Sequence, residues 1–311
     1  MALLGSAAAL QDSPSSARRV RRTRRRGEAV AGLALAAPAL LVFAVFMFVP
    51  LGMTAYYSLT RYTGFGQPRF QGLENFVQIG SDPLFWRALT NTAVFTVVSV
   101  PLSVLGGLGL ALLLNRHLPG RGLLRALFYV PVVISAVSAG IIARWIFNEN
   151  FGVANRLLSL LGLPEVGWQT DGPAALASVI AVQVWTSLGF AMVVYLAGLQ
   201  GISGEVYEAA ELDGAGRWRV LRSITWPLLG PTTFFILVYM VITSFQVFDI
   251  VVIMTGGGPQ NATTFLVNYA YDSGFEQRRQ GYAAALGVVL FAIVMVLTLL
   301  QWRAGRRRDL A

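Results

Sequence analysis

Residues 201–230, GISGEVYEAAELDGAGRWRVLRSITWPLLG, form a polar, charged stretch set between two long apolar runs. The stretch reads as two short helices with a break. Ser203 suits an N-cap, Ile202 and Tyr207 are spaced as a hydrophobic staple around it, and Glu205 falls in the first turn, where the helix dipole favours an acid. Asp213 followed by Gly214 supplies a left-handed stop. A second segment puts Trp218, Leu221 and Ile224 on one face with Arg217, Arg219 and Arg222 around it. It is expected to end at Pro227 after an extended Trp226, because a proline disfavours the helical region for its predecessor. Adjacent Ala209 and Ala210 leave a smooth helix surface that a partner can approach, and the acids at 205, 208, 211 and 213 offer charge to basic groups opposite.

Outward from this stretch the chain is apolar. Of 311 residues, 55% are hydrophobic and 13% charged, which belongs in a bilayer. A spanning helix needs about 20 predominantly apolar residues. Six runs qualify, at 30–49, 93–114, 127–147, 174–199, 232–254 and 282–302. The expected fold is all-α: a polytopic membrane protein with six transmembrane helices.

All 24 basic residues are arginine, and they sit mostly in tails and short loops. With the odd-numbered spans running outward, seventeen arginines fall on the inner side and six on the outer, Arg144 being set aside. The inner excess makes both termini cytoplasmic. It also accounts for the +9 charge without a nucleic-acid partner. Residues 1–27 read as a disordered basic tail that meets anionic lipid headgroups. The first apolar run is longer than the core of a cleavable signal and lacks a clear small-x-small cleavage site, so it reads as a retained span.

The chain has no lysine and no cysteine. A Walker-type phosphate loop needs its lysine, so ATP is not held that way here. Schiff-base chemistry, thiol chemistry, Cys-ligated metals and disulfides are excluded by the same count. The single histidine, His117, lies beside Arg116 in an inner loop and reads as solvated. No catalytic residue or metal site is expected.

Glu208-Ala209-Ala210, then Asp213-Gly214-Ala215, then Ile224, Pro227 and Pro231, resemble the EAA signature of permease subunits in bacterial ATP-binding-cassette importers. Gly72-Leu73-Glu74-Asn75-Phe76 and Thr255-Gly256-Gly257-Gly258-Pro259 resemble features of the carbohydrate-type branch, the relatives of maltose and glycerol-phosphate permeases. The resemblance spans roughly residues 30–303, without the large extra outer domain of the maltose subunit. It implies the type I importer permease fold: a six-span domain at 28–303, a cytoplasmic coupling loop at 201–230 and a short cytoplasmic tail at 304–311. It also implies that the 208–215 motif docks on an ATPase subunit. A second, usually unlike, permease and an extracytoplasmic binding protein are then partners, with ATP and Mg²⁺ bound by the ATPase dimer and no cofactor in this chain. The location implied is the bacterial plasma membrane.

Asp249 lies about five residues inside one end of its run, on the order of 8 Å by helix rise. An intramembrane charge is a functional candidate. Tyr239, Thr243, Gln246 and Asp249 approximate one helical face and could present hydroxyl, amide and carboxylate groups to a polyol, to which Gln183, Trp185 and Phe245 could contribute. A structural pairing of Asp249 with Arg144 explains the charge equally well, and Gln246 suits interhelical hydrogen bonding. An ion-coupled secondary transporter is the alternative function. It leaves the 208–231 motif without a role and has only Asp249 as an intramembrane carboxylate. A non-transporting scaffold likewise leaves the motif unexplained.

Overall fold

The computed structural model describes residues 32–116 and 118–306. The basic tail at 1–27, His117 and residues 307–311 of the C-terminal tail lie outside the described residues. The chain forms two compact units, Met1–Tyr56 and Tyr57–Ala311.

Helix α1, Gly32–Ser58, supplies the described part of the first unit. A π turn at Ala44–Phe48, in which the Val49 N–H donates to the Ala44 carbonyl, precedes Pro50. A proline lacks a donor and its ring crowds the preceding turn, and a widened turn relieves that conflict.

The second unit opens with a hairpin of two-residue strands, β1 (Thr60–Arg61) against β2 (Arg69–Phe70), antiparallel with Thr60 opposite Phe70. Helices α2 (Glu74–Ser81), α3 (Pro83–Leu114), α4 (Arg121–Val133), α5 (Ala136–Ile146), α6 (Val153–Leu160) and α7 (Gly172–Gln200) follow. Then come α8 (Gly204–Leu212), α9 (Arg217–Leu228), α10 (Gly230–Ser244), α11 (Asp249–Met254), α12 (Leu266–Tyr271) and α13 (Gln280–Arg306). Among the described residues, α1, α3, α7 and α13 are each long and apolar enough to cross a membrane. The pairs α4–α5 and α9–α10 qualify only as bent spans, at 100° and 65°.

Two runs expected as single helices are therefore interrupted. The run at 127–147 breaks where Ile134 is extended and Ser135 caps α5, its Oγ accepting from the Ser138 N–H at 3.2 Å. The run at 232–254 breaks between α10 and α11. There the Thr243 hydroxyl donates to the Tyr239 carbonyl at 3.0 Å and that of Ser244 to Val241 at 2.8 Å. Side-chain hydroxyls that bond the preceding turn compete with the helix ladder and favour a bend.

Two long helices, α3 and α7, form the spine. A Cβ at Gly107 of α3 would fall on Ala191 of α7, so the two backbones approach as closely as small residues allow. Val104, Leu108, Met192, Tyr195, Leu229 and Ile236 fill the core beside this contact. A second cluster joins Phe95, Val179, Ile250 and Phe265, and a third joins Phe85, Leu266, Tyr269 and Tyr282. Across α3 and α10, Thr96 Oγ1 and Ser244 Oγ share a buried hydrogen bond of 2.9 Å.

Candidate functional site

The polar stretch that follows α7 folds as expected at its first helix. Ser203 is the N-cap of α8, though its hydroxyl makes no capping bond. Gly214 adopts φ +67°. Its N–H donates to the Glu211 carbonyl at 3.0 Å, while the Ala215 N–H donates to Ala210 at 2.9 Å. These paired bonds are a Schellman stop, which satisfies the end carbonyls and turns the chain sharply away.

Within α8, Ala210 is buried and Glu208, Ala209, Leu212 and Asp213 are exposed. Leu212 is 90% exposed and Trp218, at the start of α9, 72%. The helix thus rests on Ala210 and presents its acids with the bare side chain of Leu212, while Trp218 is bare on α9. Tyr207 Oη and Thr225 Oγ1, 3.4 Å apart, bridge α8 to α9.

The second helix differs from expectation. Trp226 is helical, at φ −61° and ψ −47°, and α9 runs through Pro227. A π turn at Leu221–Thr225, closed by the Trp226 N–H on the Leu221 carbonyl, makes room for the proline. The geometry repeats that before Pro50. Only at Leu229 does the chain bend into α10.

The polar residues of the fifth run are not one face. Tyr239 and Thr243 lie on α10, Gln246 in the break, and Asp249 opens α11. Tyr239 packs against Phe190 with ring centroids 4.5 Å apart and planes tilted by 31°, and is exposed. Gln246 and Asp249 are exposed, and Phe245 is buried. Trp185 is exposed, and Gln183 donates to the Ser187 hydroxyl at 2.9 Å. Among the described residues no ion pair within 4.0 Å joins Arg144 to Asp249. Arg144 is exposed at the end of α5, and its carbonyl accepts from Gln169 Nε2 at 3.2 Å.

The two smaller motifs prove to be braces. Buried Asn75 donates through Nδ2 to the carbonyls of Ser58 and Thr60, at 2.8 and 3.0 Å. In the loop after α11, Thr263 Oγ1 lies 2.7 Å from Thr255 Oγ1 and donates to the Gly258 carbonyl, and the Thr264 hydroxyl donates to Gly257. Asn91 Nδ2 pins this loop to α3 through the carbonyls of Asn261 and Thr264, at 2.8 and 3.0 Å. Sequence reasoning missed a third brace: the Asp82 carboxylate accepts the hydroxyls of both Tyr269 and Tyr282. Its pieces lie far apart in the chain, and no local pattern joins them.

Residues 100–309, which include the whole 201–230 stretch, match the family described as "Binding-protein-dependent transport system inner membrane component". The chain belongs to this family. This inner membrane component is 35% identical over 286 residues to the sulfoquinovosyl glycerol transport system permease protein of Agrobacterium fabrum, covering 91% of this chain and 92% of that one. It is 35% identical to the trehalose/maltose transport system permease protein of Thermococcus litoralis, over 91% and 96% of the two chains. It is 37% identical to the lactose transport system permease protein of Rhizobium radiobacter, over 90% and 95%.

Among solved structures, a bacterial ABC transporter involved in the import of the acidic polysaccharide alginate superposes with TM-score 0.78. The identity is 26%, over 93% of this chain and 99% of that one. The component is thus a multi-pass membrane permease of the sugar ABC importer family.

Proposed function

We propose that this chain forms half of a translocation pathway for a sugar or a related polyol or glycerophosphate, driven by alternating access through a separate ATPase dimer. The observation that carries the reading is helix α8, stopped at Gly214 and exposing Glu208, Ala209, Leu212 and Asp213. A helix fixed at its end and seated through Ala210 can pass a push from a docked partner to α9 and α10. ATP and Mg²⁺ belong to that partner, since this chain has no lysine for a phosphate loop.

The arginine distribution favours a cytoplasmic position for α8 and for both termini. A binding protein then docks at the opposite end, as supported by the related alginate transporter solved in complex with an alginate pentasaccharide-bound periplasmic protein. Six spans with one coupling loop leave the other half of the pathway to a second permease, an unlike chain in the arrangement the resemblance implies.

Tyr239, Thr243, Gln246 and Asp249 are proposed to line the pathway. Non-helical backbone at membrane depth is tolerated where it is buried in protein or lines a water-filled cavity. The exposed Gln246 and Asp249 at the α10–α11 break favour a cavity.

The test is purification of the chain in mild detergent from its native host, with co-purifying proteins identified by mass spectrometry. An ATPase and a second permease are expected with the wild type, and the ATPase should be lost from a Glu208→Arg, Gly214→Pro double variant. A chain that purifies alone and moves solute down an ion gradient in vesicles overturns the reading.

A further inference from the structure

A cavity of about 540 Å³ opens at the end of the fold opposite α8, between the first turns of α3 and α7 and the loop after α11. Its size falls within the range of small-molecule sites. Its floor is close-packed: a Cβ at Gly172 would lie 3.0 Å from that of Ala262, so the glycine admits the loop against α7. Its walls are braced. Asn91 Nδ2 holds the loop, and Glu149 Oε1 accepts the N–H of Gln169 and both the N–H and the hydroxyl of Thr170, each at 2.9 Å. Gln260 and Asn261 hold positive φ, +47° and +62°, a strained geometry kept by the surrounding bonds.

The lining keeps hydrogen-bonding capacity that the fold leaves unused. Arg87 is exposed, and neither its guanidinium nor the Gln260 amide bonds any described residue. Asn91 spends its donors on the loop and leaves Oδ1 free. Asp171 caps α7 through Oδ2, which accepts from the Ala174 N–H at 3.2 Å, and leaves its other oxygen free.

Free donors and free acceptors therefore share the lining of one cavity. An anion is disfavoured, because Asp171 already occupies the positive end of α7. An apolar ligand would strand the polar groups. Neutral polyhydroxyl compounds, in which each hydroxyl both donates and accepts, match the lining.

We propose that this cavity is a vestibule subsite for a neutral saccharide, taking one or two sugar rings before the solute enters the pathway between the permeases. The inference rests on the importer reading above. The lining has no aromatic ring, only the aliphatic surfaces of Pro173, Leu176, Pro259 and Ala262 beside its polar groups, so binding is weak and exchange fast.

The chain's lack of cysteine gives a local probe. In the complete purified importer, Gln260→Cys introduces a thiol at the cavity rim. Gln260 already carries a Cβ at its positive φ, so the change adds no new backbone strain. Alkylation by N-ethylmaleimide is followed on this chain by mass spectrometry, with and without saturating maltose, trehalose or lactose. At least one sugar should slow alkylation about threefold or more. The same sugar should leave a Ser81→Cys control unprotected, and Arg87→Ala in the Gln260→Cys background should remove the protection.

Equal alkylation rates with and without all three sugars, or protection that survives Arg87→Ala, overturn the vestibule. If ATP-driven sugar uptake persists in that case, the importer reading stands and only the subsite falls. If no ATPase accompanies the chain, both fall.

Discussion

The Ala215 N–H donates to the Ala210 carbonyl at 2.9 Å, so the residue after the left-handed glycine is tied to the one buried residue of α8. That bond needs Gly214 at φ +67°, where a side chain costs about 1–2 kcal/mol. Gly214→Ala should therefore fray the end of α8, loosen the ATPase in pull-downs and lower ATP-driven uptake several-fold. Gly214→Asn, which tolerates the left-handed region, should retain most of both. Equal loss in the two variants would argue that the glycine acts through something other than its backbone.

Leu212 tests docking apart from folding. At 90% exposure it contributes almost nothing to the isolated chain, and exposed substitutions are usually within about 0.5 kcal/mol of neutral. Leu212→Asp should leave the thermal midpoint of the purified permease unchanged while weakening its association with the ATPase at least tenfold. An unchanged association places the contact elsewhere on the loop.

What was legible in the sequence followed from local rules. The apolar runs mark the spans because their length must match the bilayer, and Asp213-Gly214 marks the stop because few residues accept its backbone. What was hidden depended on tertiary compensation. A proline in a helical stretch normally argues for an ending, yet the π turn at Leu221–Thr225 carries α9 through Pro227. The break after Ser244 was masked by the apolar stretches on either side of it, 234–242 and 250–254. Its signal was the Thr243-Ser244 pair, whose hydroxyls turn back on the preceding carbonyls. Tyr239 and Asp249 then fall on different helices, and the spacing that aligned them no longer applies.

The Thr96–Ser244 bond fixes α3 against the last turn before that break. Interhelical hydrogen bonds in membranes average about 0.6 kcal/mol. A double-mutant cycle with Thr96→Val and Ser244→Ala, read from the unfolding free energy of the permease in mixed micelles, should return a coupling near that value. Zero coupling would mean that the break is held by packing alone.

Asp82, the N-cap of α3, accepts from the Leu84 N–H at 2.9 Å as well as from Tyr269 and Tyr282, so three elements of the fold meet at one carboxylate. Burial pushes its pKa upward, but the two hydroxyls and the backbone N–H groups of Leu84 and Phe85 outweigh it and hold the carboxyl below its ordinary 3.8. A lowered folded-state pKa contributes stability that is present above the unfolded value and is lost as pH falls through the folded one. Asp82→Asn keeps the cap, since asparagine serves as well there, and removes the charge the tyrosines bond. The variant should lose about 1–2 kcal/mol at pH 7, the low end for a partly exposed charged acceptor. Wild type and variant should differ by a constant amount from pH 8 to about pH 5 and begin to converge below about pH 4, as read from thermal midpoints down to pH 3. A difference that persists undiminished at pH 3 would show that the carboxylate's charge is not what the tyrosines hold.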